Sequence, residues 1–204
     1  MSSVVISGDT SGAITLAAPA IAGTNTLSLP AVTDTLVGLA ATQTLTNKSI
    51  AATQLTGTIA AARLPAGSVL QVVSNFTTTF TSSTSSTPVD TTLSASITPS
   101  STSSKIVIFV SQSGTEKNNS ANDNGINLFL VRNSTSLFQW TVALNYTNSS
   151  TNLISGSSIN YVDSPATTSS VTYKTQYASY NNSGNIRIQS NNDRSQILLM
   201  EIAG

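Results

Sequence analysis

Along the second two thirds of the chain, apolar and polar side chains trade places residue by residue. Val171, Tyr173, Thr175 and Tyr177 alternate with Thr172, Lys174 and Gln176. Phe138, Trp140, Val142 and Leu144 alternate in the same way with Gln139, Thr141 and Ala143. A period of two is the mark of a strand with one buried face. The same reading predicts strands in SVLQVVSNF, TTLSASITP, INLFLVRN, SSINYVDS and NIRIQS. KIVIFV and ILLMEI are apolar at nearly every position, which predicts strands covered on both faces. Turn residues separate the runs: NDNG before Ile126, RNSTS after Val131, NNSGN before Ile186 and NNDRS before Gln196. In the first of these, Asn124 and Gly125 suit the positive φ of a hairpin turn. About eight to ten such strands in residues 67–204 predict an all-β fold, an antiparallel β-sandwich with a jelly roll as the leading topology.

Residues 1–66 follow another grammar. Their apolar side chains are small and come in short bursts, AITLAAPAIAG, NTLSLPAV and DTLVGLA, with no aromatic residue among them. One copy cannot bury enough surface there to offset chain entropy. A disordered linker is one reading. The alternation at Ile14 and Leu16, and again at Leu27 and Leu29, favours short strands instead. The division expected is an extended, intertwined β-rich shaft or attachment segment at 1–66 and a sandwich head at 67–204.

Composition narrows the function. Charged residues make up 8% of the chain and balance to a net charge of zero. That predicts no nucleic-acid partner, and it leaves little repulsion to hold copies apart. Cysteine and histidine are both absent, which excludes thiolate zinc sites, Cys nucleophiles and His-based triads. The start, MSSVVISGDTSG, lacks the pattern of a signal peptide, and no run reaches the roughly 20 apolar residues that span a bilayer. Synthesis in a host cytoplasm without membrane insertion is the expectation.

Several segments resemble bacteriophage fibre proteins. ATQTLTNKSI at 41–50, LTGTIAAARLP at 55–65 and GDTSGAITLAAPAIAGTNTLSLPA at 8–31 are similar to their repeat-like shaft segments. GSVLQVVS at 67–74, LSASITPSSTSSKIVIFVS at 93–111 and YVDSPATTSSVTYKTQY at 161–177 are similar to a C-terminal head module that ends in a strand such as LMEI, here at 199–202. The resemblance implies a virion structural protein on the tail or head of the particle. It implies a homotrimer, joined to other virion proteins through its N-terminal segment and meeting a host surface glycan or protein through its tip. A head fibre or capsid decoration protein with a purely structural role is the alternative, because such proteins use the same modules.

No catalytic residues, cofactor or metal site are expected. Glu116 and Asp123, the closest acids in sequence, flank KNNSAND, which reads as an exposed loop rather than a place for paired catalytic carboxylates. The Asn122–Gly125 cluster lacks the ligand spacing of a calcium loop. The aromatic residues are more informative. Trp140, Tyr161 and Tyr173 fit core or subunit-interface positions. Tyr146, read in the loop YTNSSTN, and Tyr180 stand beside Asn145, Asn148, Asn181 and Asn182, the combination of rings and oriented amides that grips sugars. These six residues are the candidate receptor site.

The last strand, QILLMEIAG, carries the remaining expectation. Its two faces are Ile197, Leu199, Glu201 and Leu198, Met200, Ile202. The second is wholly apolar and is expected to point into the sandwich, leaving the face with the charge for solvent or a neighbouring copy.

Overall fold

The computed structural model describes residues 3–7, 10–17, 21, 24, 49–51, 53, 56–57, 59–181 and 184–204. The strands expected around Leu27 and Leu29, and most of the fibre-like segment at 41–50, lie outside these. The chain divides into two compact units, Met1–Thr56 and Gly57–Gly204.

In the first unit, β1 (Ser3–Ser7) and β2 (Ala13–Ala17) form an antiparallel hairpin, with Ile6 opposite Ile14. The alternation at Ile14 and Leu16 therefore does mark a strand. Val5 and Ile6, neighbours whose side chains leave a strand on opposite faces, are both exposed.

The second unit holds β3 (Val69–Thr77), β4 (Thr81–Ser83), β5 (Val89–Ile97), β6 (Lys105–Lys117), β7 (Asn124–Arg132), β8 (Thr135–Thr147), β9 (Leu153–Asp163), β10 (Val171–Ser179), β11 (Ile186–Ile188) and β12 (Ser195–Ile202). The fold is all-β, and every strand pairing described is antiparallel. One sheet runs β5-β10-β7-β8; the other runs β3-β12-β6-β11-β4, with β9 on the other edge of β6. Among the described residues no helix is long and apolar enough to cross a membrane.

Alternate residues of facing strands fill the space between the sheets. Leu93, Ala95 and Ile97 on β5, Ile106, Ile108 and Val110 on β6, Leu130, Val171, Tyr173, Ile197 and Leu199 make one apolar cluster. Ile126, Leu128, Tyr177, Ile186 and Ile188 make a second. A buried polar belt lies between them, each member two residues from a core side chain on its own strand. Thr91 bonds Thr175; Thr175 Oγ1 donates to Gln112 Oε1 at 2.9 Å; Gln112 Nε2 donates to Ser195 Oγ at 2.8 Å. Because these polar groups satisfy one another, burial carries no penalty of orphaned donors.

A charged lock joins the sheets elsewhere. Arg132 on β7 donates to both oxygens of Asp163 on β9, at 3.0 and 2.8 Å, and the Tyr173 hydroxyl donates to the same carboxylate at 2.6 Å. Burial, reinforced by that bond to Asp163, pushes the Tyr173 phenol well above its usual range.

Three sequence expectations are reversed. The first concerns β12: Ile197, Leu199 and Glu201 point inward and are fully buried, while Leu198, Met200 and Ile202 lie half-exposed on the outer face. Glu201 misleads because its acceptor oxygens are filled by residues remote in sequence. Ser100 N and Oγ and Ser104 Oγ donate to Oε1 at 2.6, 2.7 and 2.7 Å, and Gln71 Nε2 donates to Oε2 at 2.5 Å. Within one chain neither KIVIFV nor ILLMEI is covered on its outer face: Phe109 is 44% exposed. The second reversal is β8, where Ala143 (φ 55°) and Asn145 (φ 60°) are left-handed and register shifts interrupt the pairing to β7. These bulges turn Val142 out to solvent, 68% exposed, and break the alternation that begins at Phe138. The third is the exposure of Glu116: residues 118–123 are the loop expected, but Glu116 before them is buried at the end of β6, receiving Arg187 at 3.2 Å and Ser190 Oγ at 2.6 Å.

The Glu201 cluster predicts a pH dependence. Burial alone would raise its carboxyl, but the hydrogen bonds from Ser104, Gln71 and Ser100 together more than offset this and hold it below the ordinary carboxylate range. A lowered folded pKa gives stability that is present above the unfolded value and lost as pH falls through the folded one. Urea midpoints from pH 7 to pH 3 should fall through the acid range for the natural chain. Glu201→Gln should be less stable at pH 7, by about 2 kcal/mol, and have a flatter acid limb. Parallel acid limbs would remove Glu201 from the account.

Candidate functional site

The long strand β6 gives the sandwich two distinct ends, roughly 40 Å apart at about 3.3 Å per residue. At one end Lys105 faces Ile202, and the chain enters from residues 57–66 beside its own C-terminus: Gly67 N donates to Ala203 O and Ala203 N to Ser68 O, both at 2.8 Å. At the other end Lys117 faces Leu153 and Ile186, and Asn118 N donates to Asn185 O at 3.1 Å. The start of β7 and the end of β8 meet there, with Asn124 opposite Thr147, beside the turn that leaves β10.

Tyr146, Tyr180 and Asn181 line one open depression at this far end, together with Asp123 and Ala143, a hollow of about 730 Å³. The two rings meet edge to face with centroids 6.1 Å apart, and each residue is 47% exposed. Tyr146 Oη donates to Asp123 Oδ1, and Asn181 Nδ2 donates to the Asp123 backbone oxygen at 2.8 Å and to Oδ2 at 3.3 Å. The bond to Asp123 holds the Tyr146 phenol above its usual range, keeping the hydroxyl protonated and oriented.

Local structure explains the arrangement. Tyr146 belongs to β8 rather than to a loop. The left-handed residue of the preceding turn is Asp123 (φ 54°), not Asn124 or Gly125. Asn124 sits inside β7, fully buried, where its Oδ1 accepts from Ser179 Oγ at 3.1 Å and Asn181 N at 3.0 Å and so fixes the turn carrying Tyr180 and Asn181. Gly125 is needed for space: a Cβ there would stand 2.8 Å from the backbone of Ala143. Ala143 also lines the depression, so this close approach brings the wall of β8 against β7.

Of the other expected site residues, Asn145 faces inward. Its Nδ2 donates to Thr115 O at 2.7 Å and Leu153 O at 3.3 Å, while its Oδ1 accepts from Ser155 Oγ at 2.7 Å. That side chain is a brace between β8, β6 and β9. Asn148 is exposed in the loop after β8, outside the lining of the depression, and Asn182 lies outside the described residues. The loop of Asn148 rests on Lys117, a fully buried side chain whose Nζ donates to Ser149 O at 2.7 Å and Thr151 O at 3.4 Å. Burial lowers the Lys117 pKa from its ordinary value.

Asp123 is the site residue that sequence reasoning missed. Its place in an Asn- and Gly-rich turn concealed that its carboxylate takes the Tyr146 hydroxyl and the Asn181 amide. Trp140 and Tyr161 pack half-buried against the core, Trp140 Nε1 donating to Ser157 Oγ at 3.1 Å, and Tyr173 is fully buried. Of the core or subunit-interface positions expected for the three, Tyr173 is in the core and the other two pack against it. Among the described residues no group of three acidic, His or Cys side chains gathers to hold a metal ion.

The depression presents a carboxylate, an amide and two half-exposed tyrosine rings at the ends of β7, β8 and β10. No family model matches this chain, and no curated protein matches it in sequence.

Proposed function

We propose that this chain is a non-enzymatic fibre protein of a bacteriophage virion, trimeric, attached by its N-terminal segment and recognising a glycan on the host surface through the depression of Tyr146, Tyr180, Asp123 and Asn181. The observation that carries the reading is polarity. The chain enters the sandwich at one end, and the depression lies at the other, so attachment and recognition do not compete for the same surface. Rings beside oriented acceptors suit a saccharide, which offers C–H faces for stacking and hydroxyls for hydrogen bonds. A single carboxylate already engaged by Tyr146 and Asn181 is a binding group rather than one of a hydrolytic pair. The jelly-roll topology expected from the sequence is supported by the orders β3-β12-β6-β9 and β5-β10-β7-β8, in which the chain crosses repeatedly between the sheets.

Glycan-array binding of the full chain tests the reading. Tyr180→Ala and Asp123→Ala should each weaken the leading signal about tenfold or more, equivalent to 1.4 kcal/mol. Ser94→Ala, on the opposite side of β5 from the core, should leave it unchanged. If the natural chain binds no glycan and no host cell, the recognition reading fails and a purely structural place on the virion, as head fibre or decoration protein, replaces it.

A further inference from the structure

The outer faces of the two sheets differ in kind. That of β5-β10-β7-β8 is polar: Lys174 pairs with Asp90 at 2.8 Å, Gln176 Nε2 reaches the same carboxylate at 2.8 Å, and Ser96 bonds Thr172 at 2.7 Å. The outer face of the other sheet is apolar across four strands. Val72 on β3 stands opposite Met200, Met200 opposite Val107, and Val107 opposite Val162, a continuous row from edge to edge. In the next row outward-facing residues, Leu198 lies opposite Phe109. Val72, Val162 and Phe109 are 55%, 54% and 44% exposed. Beside Phe109 the same face sinks into a hollow of about 620 Å³, where Ser111, Ser158, Asn160 and Gln196 supply shorter or polar walls.

We infer that this face is an interface between copies of the chain, with Phe109 of one copy seated in the hollow of another. Three observations select a second copy as the occupant. Copies of this face can meet around a common axis without burying charge, because no charged side chain stands among the six apolar residues named; Lys105 lies beyond one end and Arg194 beyond the other. Arg194 is itself laid over the Phe76 ring, 3.9 Å from its centroid. Knob and hollow occur side by side on one surface, which is the geometry that self-packing needs. The projected area is on the order of 400 Å² from strand spacing and rise, about half of the roughly 800 Å² per partner of a stable interface. An area of that size gives weak association, which the chain's zero net charge does not oppose.

This inference goes beyond the fibre reading by naming the face that joins the copies, and it does not depend on what the depression binds. The natural chain contains no cysteine, so one introduced thiol reports one position. Full-length Val162→Cys and Phe109→Cys, treated with a short bifunctional maleimide at micromolar concentration, should cross-link to covalent dimers in high yield. Thr172→Cys on the polar face should remain single chains. Phe109→Asp should raise the dissociation constant at least tenfold in sedimentation velocity, with an unchanged circular dichroism spectrum. A natural chain that sediments as a monomer at tens of micromolar would overturn the inference. So would equal cross-linking from Thr172→Cys and Val162→Cys.

Discussion

Leu199→Asp should yield no folded sandwich, whereas Met200→Asp should yield a folded subunit. Leu199 is fully buried in the main core cluster, between Ile197 and the Glu201 network on the inner face of β12. A carboxylate there meets Ile108 and Val73 as strand partners and sits within an apolar cluster. An unpaired buried charge costs several kcal/mol, and the lost apolar burial adds about 2 kcal/mol, against a total stability of about 5 to 15 kcal/mol. Met200 sits one residue away on the outer face, half-exposed, where a carboxylate keeps much of its hydration. Its substitution should cost roughly 1 kcal/mol in folding and show itself mainly as weaker association of copies. Near-ultraviolet circular dichroism and urea titration of the two variants distinguish the faces directly. A folded Leu199→Asp together with an unfolded Met200→Asp would reverse the assignment of β12.

Asp163→Ala should lose about 2 to 4 kcal/mol, the second large effect. Asp163 gathers two Arg132 bonds and one from Tyr173, and its removal strands a phenol hydroxyl in the core and a guanidinium that is 27% exposed. Breaking one side of a buried pair costs about 3 to 5 kcal/mol; the partial exposure of Arg132 lets water recover part of that. Thermal unfolding should show the loss, and Arg132→Met with Asp163→Ala should recover more stability than the single substitution predicts if the pair acts as a unit. Additive losses would mean that the two residues contribute separately.

These effects show where the sequence was legible. Period-two alternation identifies β10, because its pairing to β7 keeps one register from Tyr173 to Ser179, and the shift against β5 between Lys174 and Gln176 leaves the alternation of buried residues intact. It fails on β8, where left-handed residues at Ala143 and Asn145 rotate the strand without any Gly to announce them. It fails on the sense of β12, since the sign of a face depends on what its one charged residue meets. Glu201 meets Ser100 and Ser104, about a hundred residues earlier in the chain. Glu116 was misread for the same reason, its partner Arg187 arriving on β11 from 71 positions away. β4, three residues long, is too short to leave a periodic trace. Of the candidate site, Tyr146, Tyr180 and Asn181 were visible as aromatic residues among amides. Asp123 was not, because the pairing of one turn with another is a property of the fold.

Attachment at one end and recognition at the other is the central claim, and labelling intact particles tests it most directly. If the chain is a phage fibre, an antibody against the segment 180–185, applied to purified particles that carry it and imaged by electron cryomicroscopy, should mark the outermost tips of projections. An antibody against residues 1–12 should mark their bases or fail to reach them. Label from the first antibody at the particle wall, with the second at the tips, would contradict the account.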